Sequence, residues 1–207
     1  MKRSKLMKQT LKKYYPFILI LIILLLTHLK TLVTNDGMMI FFGDSYEQQL
    51  QFYLGGWERL HNLDFSLWDW SLGYGANYFS HVFYFATSPF FFITLFFSKT
   101  IIPYLFIYLN MLKLFLIFYF TYLWLGKLTC DKIARTIGAF VLTYSGWVIF
   151  FYHYNHFLDA FLLYPLILFG IEEYLQDSKL STYSIALAVL GIINYYFLYM
   201  FILFIFL

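Results

Sequence analysis

Apolar runs close to the roughly 20 residues that a bilayer-crossing helix needs recur along almost the whole chain. The first, residues 15–33, follows a basic leader and reads as a transmembrane helix. Residues 34–81 form the only long polar stretch, and a loop of that length is usually functional. Beyond it, the run at 82–97 is short and carries Ser88-Pro89 near its start. Longer runs follow at 104–125, 136–151 and 158–174, and a last one extends from 183 to Leu207. A backbone in lipid must satisfy its own hydrogen bonds, so these runs are helices. The pattern therefore predicts an all-α fold, a polytopic transmembrane helical bundle whose long first loop contains interfacial helices. It divides into a basic N-terminus (1–14), a first transmembrane helix (15–33), the loop (34–81) and further membrane helices (82–207). The last run has no polar tail or basic anchor, as expected of the N-terminal part of a longer polytopic protein.

Composition agrees. The chain is 62% hydrophobic and 12% charged with a mean hydropathy of +0.70, whereas a soluble domain carries about 25% charged residues. Too little polar surface exists to cover a globule in water. Aromatic residues make up 25% of the chain, which suits membrane interfaces and ring packing and equally a carbohydrate site. The net charge of +3 is concentrated at the N-terminus, so it carries topological information; a nucleic-acid partner is not expected. Cys130 is the single cysteine, which excludes an intrachain disulfide and a CxxC metal site. A basic leader before an apolar run also fits a signal peptide, but His28, Leu29 and Lys30 stand where a small-residue cleavage site belongs. The first run is thus expected to remain as a span.

Charge sets the expected orientation. Six Lys/Arg precede the first run, which places the N-terminus in the cytoplasm and the protein in the cell membrane as a multi-pass chain. The 34–81 loop is then external. It holds six of the eleven acidic residues and a single Lys/Arg, Arg59. Residues 82–97 either cross the membrane or lie in its outer interface. Crossing would put Lys127, Lys132 and Arg135 outside; not crossing leaves only Lys99 there, and three cations against one favour the second reading. On that reading 136–151 runs outward, 152–156 is an external turn, 158–174 runs inward and 176–181 is cytoplasmic.

Two polar clusters then share the external face. The first is Gly43-Asp44-Ser45-Tyr46-Glu47-Gln48-Gln49. An acid near the membrane surface has raised basicity, which suits Asp44 as a general base on an acceptor hydroxyl. The same residues also fit a helix start, with Asp44 or Ser45 as cap and Leu50, Tyr53, Leu54 and Trp57 as an apolar face. The second cluster is His153-Tyr154-Asn155-His156 with Asp159. His156 and Asp159 share a face if the helix has begun, and ionisable groups at a span end are functional candidates; an interfacial turn of aromatics and imidazoles is the alternative. Metal binding by His153, His156 and Asp159 falls short of known helical ligand spacings. Lys113, inside 104–125, either snorkels to an interface or meets a carboxylate or anionic headgroup. Trp68 and Trp70, before the turns at Gly73 and Gly75, can stack on a sugar or seat the loop at the headgroups.

Together, Gly-Asp-Ser-x-x-Gln-Gln at 43–49, Leu-Trp-Asp-x-x-x-Gly-x-Gly at 67–75, His-x-x-His-Phe-Leu-Asp-Ala at 153–160 and Tyr-Pro-Leu-Ile-Leu-Phe-Gly-Ile-Glu-Glu at 164–173 resemble the N-terminal part of the bacterial YfhO-type membrane proteins. Members are several times longer, so activity is expected of a full-length protein. That family is similar to the GT-C glycosyltransferases, and the resemblance implies a GT-C-like bundle that moves a sugar from a polyprenyl-phosphate carrier to an envelope polymer such as lipoteichoic acid. It implies Asp44 as the catalytic acid of the first external loop, with Glu47 and Gln48 orienting the acceptor. His153, His156 and Asp159 fall in a family-typical stretch and are carried as substrate or phosphate contacts; in such a transfer a protonated His153 or His156, or Lys113, is the group expected to stabilise the leaving phosphate. The Asp-x-Asp pair of metal-dependent relatives is missing, so neither metal nor cofactor is expected. A flippase or transporter component, or a non-catalytic assembly partner, is the rival expectation.

Overall fold

The computed structural model describes residues 2–206, with side chains for 14–204 except those at 81, 83 and 84. Its regular structure is helical, apart from one small ribbon in the long loop. Helix α1 (Lys2–Thr34) leads into an extended segment and a π-helical turn (Ser45–Leu50), which continues as α2 (Gln51–His61). The two-residue strands β1 (Trp68–Asp69) and β2 (Ala76–Asn77) pair antiparallel. Short helices α3 (Phe79–Phe85) and α4 (Pro89–Thr94) precede the long α5 (Ile102–Leu128). Then come α6 (Lys132–Thr143), α7 (Gly146–Phe150), α8 (Asn155–Asp177), α9 (Ser181–Ile193) and α10 (Tyr195–Phe206). Among the described residues, three stretches are long and apolar enough to cross a membrane: Tyr14–Thr34, Lys99–Leu128 and Lys132–Phe150.

Helix α5 is the centre of the bundle, packing against α1, α6 and α8, while α8 also packs on α9. One core joins these helices through Ile20, Leu24, Ile117, Phe118, Leu158 and Leu190. A second, smaller core seats the loop on the first turns of α5, through Leu50, Tyr53, Phe85, Phe91 and Phe106. The α8–α9 seam is tight at Gly170, where a Cβ would stand 2.5 Å from the backbone nitrogen of Tyr183. Backbone cannot give way as a flexible side chain can. We expect Gly170→Val to lower unfolding stability in detergent by about 1–3 kcal/mol, the usual cost of overpacking; an unchanged denaturation midpoint would show that α8 and α9 do not meet there.

Residues 82–97 do not form one rod. Ser88 caps α4, its Oγ accepting from the Phe90 N–H at 3.2 Å, with Pro89 at the first helical position. The Ser-Pro pair is thus a helix start. A six-residue helix rises only about 9 Å, against a hydrocarbon core of about 30 Å. The far end of this stretch returns to the loop from which it starts: the Trp57 indole donates to the Phe97 carbonyl at 2.9 Å, and just beyond it Lys99 pairs with Glu58. Lys127, Lys132 and Arg135 gather around the other end of α5, which rises about 40 Å along its length. At that end Lys127 meets Asp177 at 3.2 Å.

Two apolar runs prove to be interrupted. The run at 136–151 breaks at Tyr144, and Ser145 recaps the chain as α7. The last run breaks at Asn194, whose side chain accepts from the Phe197 N–H at 3.3 Å. In both cases a polar side chain offers the backbone a local partner that competes with the helical ladder.

Candidate functional site

The first polar cluster folds as a stapled turn. Gly43 has a φ of +50°, a left-handed conformation that side chains resist. Ser45, buried behind it, accepts from the Phe42 N–H at 2.9 Å and donates to the Phe42 carbonyl at 2.8 Å. The following π-helical turn is a form that often marks functional sites. It turns Gln49 inward and leaves Asp44 and Glu47 exposed. Asp44 occupies the cap position, yet its side chain caps no backbone N–H. The Ser45 hydroxyl serves the preceding Phe42 and no N–H of the turn that follows, so the expectation of a side-chain helix cap is corrected. The Asp44 carboxylate instead accepts from Gln48 Nε2 at 3.3 Å.

The second cluster is buried. Helix α8 begins at Asn155, so His156 and Asp159 are both helical, three residues apart and 3% and 1% exposed. Lys113 of α5 does not snorkel. Its ammonium sits 2.7 Å from Asp159 Oδ1 and donates to Asn155 Oδ1 at 2.8 Å and to the Asn155 carbonyl at 3.2 Å. The Phe90 ring covers it at 4.8 Å. Asn155 in turn donates its backbone N–H to Gln49 Oε1 at 2.6 Å. This hydrogen bond ties the two clusters together. His156 packs edge-on to Phe157, while His153 lies apart against Phe42, with ring centroids 4.4 Å from one another. Burial holds His153 below its ordinary value, so its ring is neutral near pH 7.

The structure therefore joins Gln49, Lys113, Asn155 and Asp159 and leaves Asp44, Glu47 and Gln48 on the exposed side of the same turn. Gln49 and Asn155 were not among the expected site residues, although both stand inside the motifs. Among the described residues no three His, Cys, Asp or Glu side chains gather as a metal site.

Two cavities flank this turn. One, of about 470 Å³, lies among α1, α5, α6 and α7 and includes Thr27, His28, Met39, Ile40, Tyr144 and His153 in its lining. Its polar edge is ordered. His28 Nδ1 lies 2.8 Å from the Leu24 carbonyl, to which it must donate, so Nε2 accepts from the Tyr152 hydroxyl at 2.7 Å. The other, of about 430 Å³, lies in the loop and is lined by Glu47, Gln51, Glu58, Asp69, Tyr78 and Lys99 among others. Residues 39–51 thus contribute to both: Met39 and Ile40 to the first, Glu47 and Gln51 to the second.

Arg59 organises the far wall of the loop cleft. Its guanidinium meets Asp69 at 3.2 Å and Asp64 at 3.5 Å, bonds Ser66 and covers the Tyr78 ring at 3.9 Å. The Ser66 hydroxyl and N–H hold the Asp64 carboxyl below its ordinary value of 3.8, with Arg59 adding to this. Burial pushes Asp69 up, but the Ser71 hydroxyl and N–H together with Arg59 outweigh it. Depressed carboxylates contribute stability that is complete above the ordinary value and is lost as pH falls through the depressed one. Chymotrypsin-type cleavage around Trp68 and Trp70, read after brief exposure to each pH, should therefore rise only below about pH 4. Arg59→Met should be cut readily at neutral pH; resistance in that variant would dismiss Arg59 as the organiser.

No curated protein and no solved structure matches the chain. The family model described as bacterial membrane protein YfhO matches residues 15–207. With its long apolar helices and a match that runs from the first of them to the last, the chain belongs to the YfhO family of bacterial membrane proteins.

Proposed function

We propose that this protein, in its full-length form, is a membrane glycosyltransferase that moves a sugar from a polyprenyl-phosphate carrier to an envelope acceptor of the lipoteichoic acid kind at the outer membrane surface. One observation carries the reading: Asp44 is an exposed carboxylate within residues 39–51, a segment that lines a cavity between the long helices through Met39 and Ile40 and a polar cleft in the loop through Glu47 and Gln51. The carrier's isoprenoid chain suits the first and the acceptor suits the second. Asp44 takes the proton of an acceptor hydroxyl, that oxygen attacks the anomeric carbon, and the carrier phosphate leaves with the bonding electrons, inverting the centre. The N-terminus is cytoplasmic in this arrangement, so the loop faces outward. Glu47 and Gln48 orient the acceptor, and His153 edges the carrier cavity. Lys113, Asp159 and His156 form the buried wall behind the turn.

Transport of the lipid-linked precursor without chemistry is the second reading. It is favoured by the helix breaks at Tyr144 and Asn194 and by the buried Lys113–Asp159 pair, features found in transporters. Full-length protein in lipid nanodiscs, given polyprenyl-phosphate sugar and acceptor, decides between them. Sugar on the acceptor supports transfer; no product there, with carrier flipping in proteoliposomes, supports transport and ends the first reading.

A further inference from the structure

We infer that the loop cleft binds an uncharged, hydroxylated saccharide segment and disfavours a phosphate group within the cleft itself. Its volume of about 430 Å³ falls within the usual range for small-ligand sites. Its walls are amphipathic: Phe52 and Phe85 stack with centroids 4.8 Å apart, and Tyr78 closes the side under Arg59. Ring edges of this kind give the C–H surface of a pyranose an apolar wall to rest against. Glu47, Glu58, Asp69, Gln51 and Ser71 supply acceptors, and a sugar's hydroxyls are donors.

Charge then selects the ligand. Glu58 is neutralised by Lys99 and Asp69 by Arg59, so neither cation is left over for an anion. Glu47 has no ion-pair partner among the described residues, and its side chain is exposed in the cleft. A phosphate would meet this uncompensated carboxylate and no spare cation, whereas a hydroxyl donating to it makes a charge-assisted hydrogen bond. Space is left on the floor as well. A Cβ on Gly55 would meet nothing within 4 Å, so this face of α2 is open to a ligand.

Binding of such a segment stands on the cleft alone; assigning it to the acceptor's saccharide portion, as opposed to its phosphate backbone, rests on the transfer reading above. The test is binding without turnover. The chain in zwitterionic nanodiscs is titrated with gentiobiose and maltose as neutral probes and with glycerol 3-phosphate as the anionic one, by saturation-transfer NMR and with no carrier present. Millimolar binding of a neutral disaccharide is expected, weakened at least tenfold by Gly55→Leu, which fills the cleft, and reduced by Glu47→Gln. Circular dichroism of Gly55→Leu should match that of the parent, because a side chain there meets open space and leucine is the better helix former. Failure of both disaccharides to bind, equal binding by a folded Gly55→Leu, or tighter binding of glycerol 3-phosphate would each overturn the inference. Absence of sugar transfer with disaccharide binding intact would remove only the acceptor assignment.

Discussion

Lys113→Met should lower the unfolding stability of the detergent-solubilised protein by about 3–5 kcal/mol, the cost of leaving one member of a buried ion pair unpaired. The ammonium is fully buried between α5 and α8, and its loss strands both Asp159 and the side-chain carbonyl of Asn155. Removing both charges is a different matter. Lys113→Met with Asp159→Leu replaces the pair by apolar volume, which is commonly neutral or even stabilising. The double variant should therefore recover most of what the single one loses. A double-mutant cycle on SDS- or urea-induced unfolding measures this, and a single variant within about 1 kcal/mol of the parent would contradict a desolvated pair.

Asp44→Asn should reduce glycosyl transfer by about 10²–10⁴-fold, the usual contribution of a general base. The protein should still insert and fold, because the carboxylate is exposed and its one hydrogen bond among the described residues, from Gln48, is a surface contact. The fall belongs in kcat, since asparagine still offers an oxygen to the acceptor hydroxyl but cannot take its proton. Glu47→Gln, in contrast, should act on the acceptor KM. Residual activity within about tenfold of the parent in Asp44→Asn would move the base elsewhere.

Much of the architecture was legible because hydrophobic run length reports directly on helices in lipid. The breaks were not. Tyr144, Ser145 and Asn194 look like isolated polar residues in apolar runs, and only the cap geometry shows that the helix stops there. The short 82–97 run was ambiguous by length, and its outcome depends on Trp57 and Glu58, about forty positions away. Likewise, a carboxylate was an open option for Lys113, but nothing local selects Asp159 from the other acids. The motifs mark the segments that meet in the fold without showing the contacts between them. Gln49 and Asn155 join the clusters through a bond spanning 106 positions, and amide side chains carry no charge signal to give that away.

The stapled turn at 43–49 has one more consequence. A carboxylate in water is normally loose, and holding it against a reacting group costs entropy in every encounter. Here the left-handed Gly43, the Ser45 ring to Phe42 and the Gln49 anchor on Asn155 fix the backbone on both sides of Asp44 when the chain folds. The backbone that carries Asp44 is thus ordered on folding while its side chain stays open to solvent, so on the transfer reading less ordering remains to be done when an acceptor arrives.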